Sequence, residues 1–215
     1  MPKQTQQMSQ WMGEFGKNYT QRNNLTFEEF EKLYEHRFGL TRTAMNERFL
    51  QSLDRSIRIL EVGSNIGNQL LCLQKMGFTG LWGIEIQENA VKEARKRTKG
   101  IEFVQASAFD IPFGKEHFDL VFTSGVLIHL SPKDLEIALK EIHRCASHWV
   151  WGFEYWDKTY KEIPYRGKSD LLWKGPFAQM YLDRFPDLKL IKEEKFQYQD
   201  EECIDSMFLL ERATD

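Results

Sequence analysis

Residues 57–68 read Ile57-Arg58-Ile59-Leu60-Glu61-Val62-Gly63-Ser64-Asn65-Ile66-Gly67-Asn68, a short apolar run ending in a glycine-punctuated loop. Six residues bounded by glycine suit a buried strand, and the following Asn68–Met76, with Leu70, Leu71 and Leu73, suits a helix. An α/β sheet places its ligand at such a strand exit. Gly63 lets the chain turn sharply, Gly67 lets a ligand approach without a Cβ in the way, and the helix N-terminus offers free N–H groups. A dinucleotide fingerprint would need glycine at 63, 65 and 68, but Asn65 and Asn68 fill the last two. The pattern suits a ligand without a pyrophosphate; a plain tight turn is the alternative.

Outward from this loop, strands and helices alternate. Strands are expected at Leu81–Ile86, Ile101–Gln105, Phe118–Thr123 and Trp149–Phe153, with helices at Asn89–Thr98 and Lys133–Cys145. Alternating units of this length force parallel strands with helical crossovers. Lys189–Phe196 and Cys203–Leu210 have no helix between them and read as an antiparallel pair at one edge. Upstream, Thr26 and Glu29 form a capping-box pattern before the apolar face of Phe27, Phe30, Leu33 and Tyr34. A second helix is expected over about Thr41–Leu53. Residues 1–56 are read as an N-terminal helical lid, and 57–215 as the main domain with a substrate-cap insertion near 155–180.

Composition narrows the function. The 215 residues are 41% hydrophobic and 28% charged, enough to fold around a core. A net charge of −3 offers no basic excess for a phosphate backbone, so nucleic acid is not expected as a partner. Cys72, Cys145 and Cys203 are too scattered for a disulfide framework or a CxxC site. His143 and His148 have no metal-ligand partner in register, and no metal is expected. No apolar run is long enough to span a membrane and no secretory signal stands at the start, so a cytoplasmic location is expected.

Glu85 ends the second strand, where an acidic side chain accepts ribose hydroxyls. Together with the 61–68 loop, the segment Gln105–Phe113 and the strand Phe118–Phe122, it gives a set of motifs that resembles the class I S-adenosylmethionine-dependent methyltransferases over about residues 57–155. The resemblance implies a Rossmann-like α/β fold, with a mostly parallel seven-stranded sheet and an antiparallel edge pair. It implies S-adenosylmethionine as cofactor, Gly63, Asn65 and Gly67 at its methionyl part, Glu85 on the ribose and Ile86 on the adenine. Ser107, Ala108 and Phe109 would line the adenine edge, with Ser124 completing the set. Asn65 replaces a glycine of the commonest pattern, and Ser107 stands where an acidic residue is frequent.

The stretch Trp11–Asn23, with Ile59–Gly67 and Tyr165-Arg166-Gly167, is further similar to the pseudaminic acid biosynthesis-associated methyltransferases. That likeness implies a small-molecule acceptor of the acidic-sugar class. The N-terminal stretch would act as a lid, with Tyr19 and Arg22 on one helical face and Arg22 paired with the cofactor carboxylate.

Methyl transfer needs a nucleophile aligned about 3–3.5 Å from the methyl carbon and a group to take its proton. His129, just past the fourth strand, and Glu154, ending the fifth, are the catalytic candidates, with Asp157 a further base. A core histidine and an ordinary ion pair are the structural alternatives for the first two. Tyr155, Tyr165 and Arg166 are the acceptor candidates, Arg166 offering a fork for an acid group. A nicotinamide-dependent reductase and a cofactor-binding scaffold without turnover are the competing readings.

Overall fold

In the computed structural model, residues 5–165 and 169–213 are described. Four helices come first: α1 (Gln6–Met12), α2 (Glu14–Arg22), α3 (Phe27–Phe38) and α4 (Arg42–Leu50). Thr26 caps α3 through the full capping box with Glu29, as its spacing predicts. The alternating part follows as β1 (Arg58–Val62), α5 (Asn68–Lys75), β2 (Gly80–Glu85), α6 (Glu88–Arg97) and β3 (Glu102–Gln105). Then come β4 (Phe118–Ser124), α7 (Pro132–Cys145), β5 (Ala146–Tyr155), and a small ribbon of β6 (Lys161–Glu162) and β7 (Trp173–Lys174). The chain ends with α8 (Phe177–Arg184), β8 (Leu188–Gln197) and β9 (Ile204–Arg212).

The seven-stranded sheet has the order β3-β2-β1-β4-β5-β9-β8. Its first five strands are parallel; β9 pairs antiparallel with both β5 and β8. The expected antiparallel pair is present, with the last strand threaded inside the edge. Alternate strand residues feed opposite faces. Leu60, Val62 and Val121 pack with α7 and α8 through Leu139, Ile142 and Tyr181. Ile59, Leu120 and Phe122 pack on the other face, with Met45, Phe49 and Leu73.

The opening stretch is helical, as expected, and forms α1 and α2; the Trp11 ring reaches His129 far along the chain. Within the 155–180 segment, Phe177 and Ala178 of α8 are buried in the main core, so that helix packs with the sheet.

Glu154 has a structural position. It is buried at the end of β5, and its carboxyl accepts hydrogen bonds from the backbone N–H groups of Val126 at 3.2 Å and Ile128 at 3.4 Å. This pins the loop after β4. Burial pushes the Glu154 carboxyl up to about 7, against the pull of those donors. The folded value lies above the unfolded one. Its contribution to stability is therefore full below about pH 4.5 and is lost as pH rises through about 7. Compared with Glu154→Gln, which does not titrate, the wild-type protein should lose on the order of 2–3 kcal/mol between about pH 4.5 and about pH 8. Denaturant unfolding at the two pH values measures this; equal differences would show that folding does not raise the Glu154 pKa.

Candidate functional site

At the exit of β1 the chain turns at Gly63 (φ +76°), whose N–H donates to the Ile84 carbonyl at 2.8 Å. A Cβ there would lie 2.6 Å from the Val126 side chain, so the loops after β1 and β4 approach only because residue 63 is glycine. Asn65 adopts φ +46°, a conformation asparagine enters more readily than most residues. Its N–H donates to Glu85 Oε2 at 2.9 Å, while Glu85 Oε1 accepts from the Gln87 N–H at 2.9 Å. One buried carboxylate thus fixes the loops after both β1 and β2. Burial raises the Glu85 pKa and the backbone donors oppose the rise.

These loops open onto a cavity of about 300 Å³. Of the residues expected at the cofactor, Gly63, Asn65, Glu85 and Ile86 lie on its wall, as do Ser107, Ala108, Phe109 and Ser124. Tyr19, His129, Tyr155 and Tyr165 lie there too. Four residues do not, among them the further candidate base Asp157, which pairs with Lys161 at 2.6 Å. Gly67 (φ +81°) is a packing glycine, since a Cβ would meet the Phe103 ring at 2.7 Å. Arg22 is exposed in the last turn of α2, although Tyr19 one turn earlier is on the wall. Glu154 is turned to the backbone of the 126–128 loop and not to the cavity. Arg166 lies outside the described residues.

The N-terminal helices sit over this cavity. Trp11 packs at ring-centroid distances of 5.2 Å from Tyr19 and 4.5 Å from His129. Thr20 Oγ1 donates to Asn65 Oδ1 at 3.0 Å, and Asn68 Nδ2 donates to the Asn23 carbonyl at 3.0 Å, tying α2 to the β1 loop. His129 Nδ1 lies 2.8 Å from the Leu171 carbonyl oxygen. A carbonyl can only accept, so Nδ1 carries the proton and Nε2 keeps its lone pair. Burial pushes the His129 pKa down to about 4, so the ring is neutral at physiological pH.

The sequence reading missed Trp11, Glu61 and Ser64 as wall residues. Glu61 is 2% exposed, and burial holds its carboxyl well above the usual range. Glu61 Oε2, Ser64 Oγ and Trp11 Nε1 are buried without a hydrogen-bond partner among the described residues. Buried polar atoms of this kind need a partner, and all three residues border the cavity. The set fits S-adenosylmethionine: carboxylates for hydroxyl and ammonium donors, and apolar Ile86 and Phe109 for a purine face. Glu61 opens the strand-exit pattern Glu-x-Gly-x-Asn-x-Gly, with no role of its own assigned from the sequence. Only its place two residues before the turning glycine could have flagged it.

Comparison with known proteins agrees with this geometry. The family described as Methyltransferase domain matches residues 60–148. The chain is 24% identical over 181 residues to phosphoethanolamine N-methyltransferase of Plasmodium falciparum (74% of this chain, 66% of that protein). It is 30% identical over 134 residues to demethylmenaquinone methyltransferase of Staphylococcus carnosus (59% of this chain, 50% of that protein). The chain thus spans half to about two thirds of the length of these relatives. The fold is similar, with a TM-score of 0.71 and 12% identity, to the Burkholderia thailandensis 1,6-didemethyltoxoflavin-N1-methyltransferase solved with its acceptor and S-adenosylhomocysteine; 100% of this chain and 92% of that one are covered. Residues 60–148 thus match a methyltransferase-domain family, on a fold similar to that of a methyltransferase solved with S-adenosylhomocysteine.

Proposed function

We propose that this protein transfers a methyl group from S-adenosylmethionine to a small polar acceptor. The observation that carries the reading is Glu85. Its two oxygens each take one backbone N–H while the residue also lines the cavity. A carboxylate has about four acceptor sites, so each oxygen keeps one for a ribose hydroxyl. The bound cofactor supplies an activated methyl on a sulfonium, and the residues of this chain supply alignment and proton removal. His129, its Nε2 oriented by the Nδ1–H bond to Leu171, is the proton acceptor we favour. Trp11 and Tyr19 exclude water from above.

The acceptor class we favour is an acidic sugar or its nucleotide form, as the likeness at Trp11–Asn23 implies. The relatives and the similar structure whose names state an acceptor act on small molecules, which supports a small-molecule acceptor here. The three free cysteines suit the reducing cytoplasm, where we place the protein. A nicotinamide cofactor fits less well. The N-terminus of α5, where a pyrophosphate would sit, has Asn68 engaged by the Asn23 carbonyl and by Arg97 Nη1 at 2.8 Å.

Two outcomes test the reading. Glu85→Ala should weaken S-adenosylmethionine binding by at least roughly tenfold in calorimetry, since hydrogen bonds to a charged group contribute about 1.5–3 kcal/mol each. Glu85→Gln, which keeps the side-chain shape, should fall between; unchanged affinity in both removes Glu85 from the site. Limited proteolysis should cut within residues 11–23 in the free protein and slow when S-adenosylhomocysteine is added. Equal rates would make α1 and α2 a static cover.

A further inference from the structure

The cavity reaches beyond the cofactor loops. The strands carrying Glu85 (β2) and Asp205 (β9) are four positions apart in the sheet order, about 19 Å at the usual strand spacing. Both residues nevertheless border the same cavity. At the β9 side its wall is built by Arg37 of α3, Tyr155 at the end of β5, and Tyr198 and Asp205 flanking the β8–β9 turn.

A guanidinium and a carboxyl border this space. Asp205 is 2% exposed. Its Oδ2 accepts from the Tyr198 hydroxyl at 3.1 Å, but Oδ1 is buried without a partner among the described residues. Leaving a buried carboxylate oxygen undonated is costly, and a cavity wall is where a ligand can provide the donor. The Arg37 guanidinium lies over the Tyr198 ring at 5.2 Å, and among the described residues it forms no ion pair. Arg37 and Asp205 act on each other only at longer range. Burial pushes the Asp205 carboxyl up to about 7, against the pull of the Tyr198 hydroxyl and of the Arg37, Arg42 and Lys174 charges. A guanidinium and a carboxyl that face one space without pairing are complementary to a ligand carrying both a negative group and a donor.

We propose that this end is the acceptor subsite, and that the acceptor is a small molecule with an anionic group held by Arg37 and a hydroxyl or amino donor held by Asp205 Oδ1. The assignment rests on the methyltransferase reading above. It gives the acid-binding role to a residue of α3, a helix the sequence marked only by its apolar face.

Calorimetry on protein loaded with S-adenosylhomocysteine tests it with four probes: phosphoethanolamine, ethanolamine, glycerol 3-phosphate and glycerol. Each phosphate ester should bind at least roughly tenfold tighter than its parent, about 1.4 kcal/mol. The stronger of the two esters tells an amino from a hydroxyl donor. Arg37→Met should erase the advantage of the esters, and Arg37→Lys, which keeps charge but loses the fork, should reduce it. In Asp205→Asn the amide oxygen stays with Tyr198 and an NH2 group turns to the cavity, replacing an acceptor by a donor. Both esters should then weaken by at least roughly tenfold, with S-adenosylhomocysteine affinity unchanged in all three variants. Asp205→Ser, tested alongside, should show the same loss if the Asn variant folds poorly. The proposal is overturned if neither ester binds the wild-type protein, if the variants bind them as the wild type does, or if Arg37→Met loses the cofactor product instead. Failure of the wild-type protein to take up S-adenosylhomocysteine would sink the methyltransferase reading itself.

Discussion

A carboxylate buried at the carboxyl end of a parallel strand must find hydrogen-bond donors, and the nearest are the N–H groups of the loops leaving the neighbouring strands. The cavity depends on this constraint twice. Glu85 gathers the loops after β1 and β2, and Glu154 gathers the loop after β4. Both residues are buried, so neither can exchange its loop partners for bulk water at no cost. The difference between them is what else each faces. Glu85 borders the cavity and can serve a ligand as well as the chain, whereas Glu154 serves the chain alone. The same residue type at the same topological position thus has two roles, and side-chain direction decides between them.

That distinction explains what the sequence could and could not show. The parallel strands were legible because apolar runs of four to six residues alternating with amphipathic segments admit few arrangements. Glu85, Gly63 and Asn65 were legible as residues of the cavity wall because they stand at strand exits, where a parallel sheet opens its crevice. Gly67 was misplaced because a glycine required by a neighbouring ring looks identical, in one dimension, to a glycine required by a ligand. Arg22 was misplaced because sharing a helical face with Tyr19 does not say where the edge of the cavity falls. Glu154 was read from its strand end, which it shares with a ligand-facing residue. Arg37 and Asp205 had no local signal at all; they meet one cavity only because the last strand is threaded back between β5 and β8.

The threading of β9 also orders assembly. The wall residues assigned to the cofactor, apart from those of the lid, fall within one continuous stretch from Glu61 to Ser124. The opposite wall joins a helix near the start of the chain to a strand at its end. Synthesis delivers these parts in sequence, and contacts of long separation form only once both partners exist. A growing chain therefore owns the pieces of the Glu85 side of the cavity well before β9 can pair with β5. During that interval the Arg37 and Asp205 wall is incomplete, so on the proposed assignment the cavity can take an acceptor beside the cofactor only once the final strand closes the sheet.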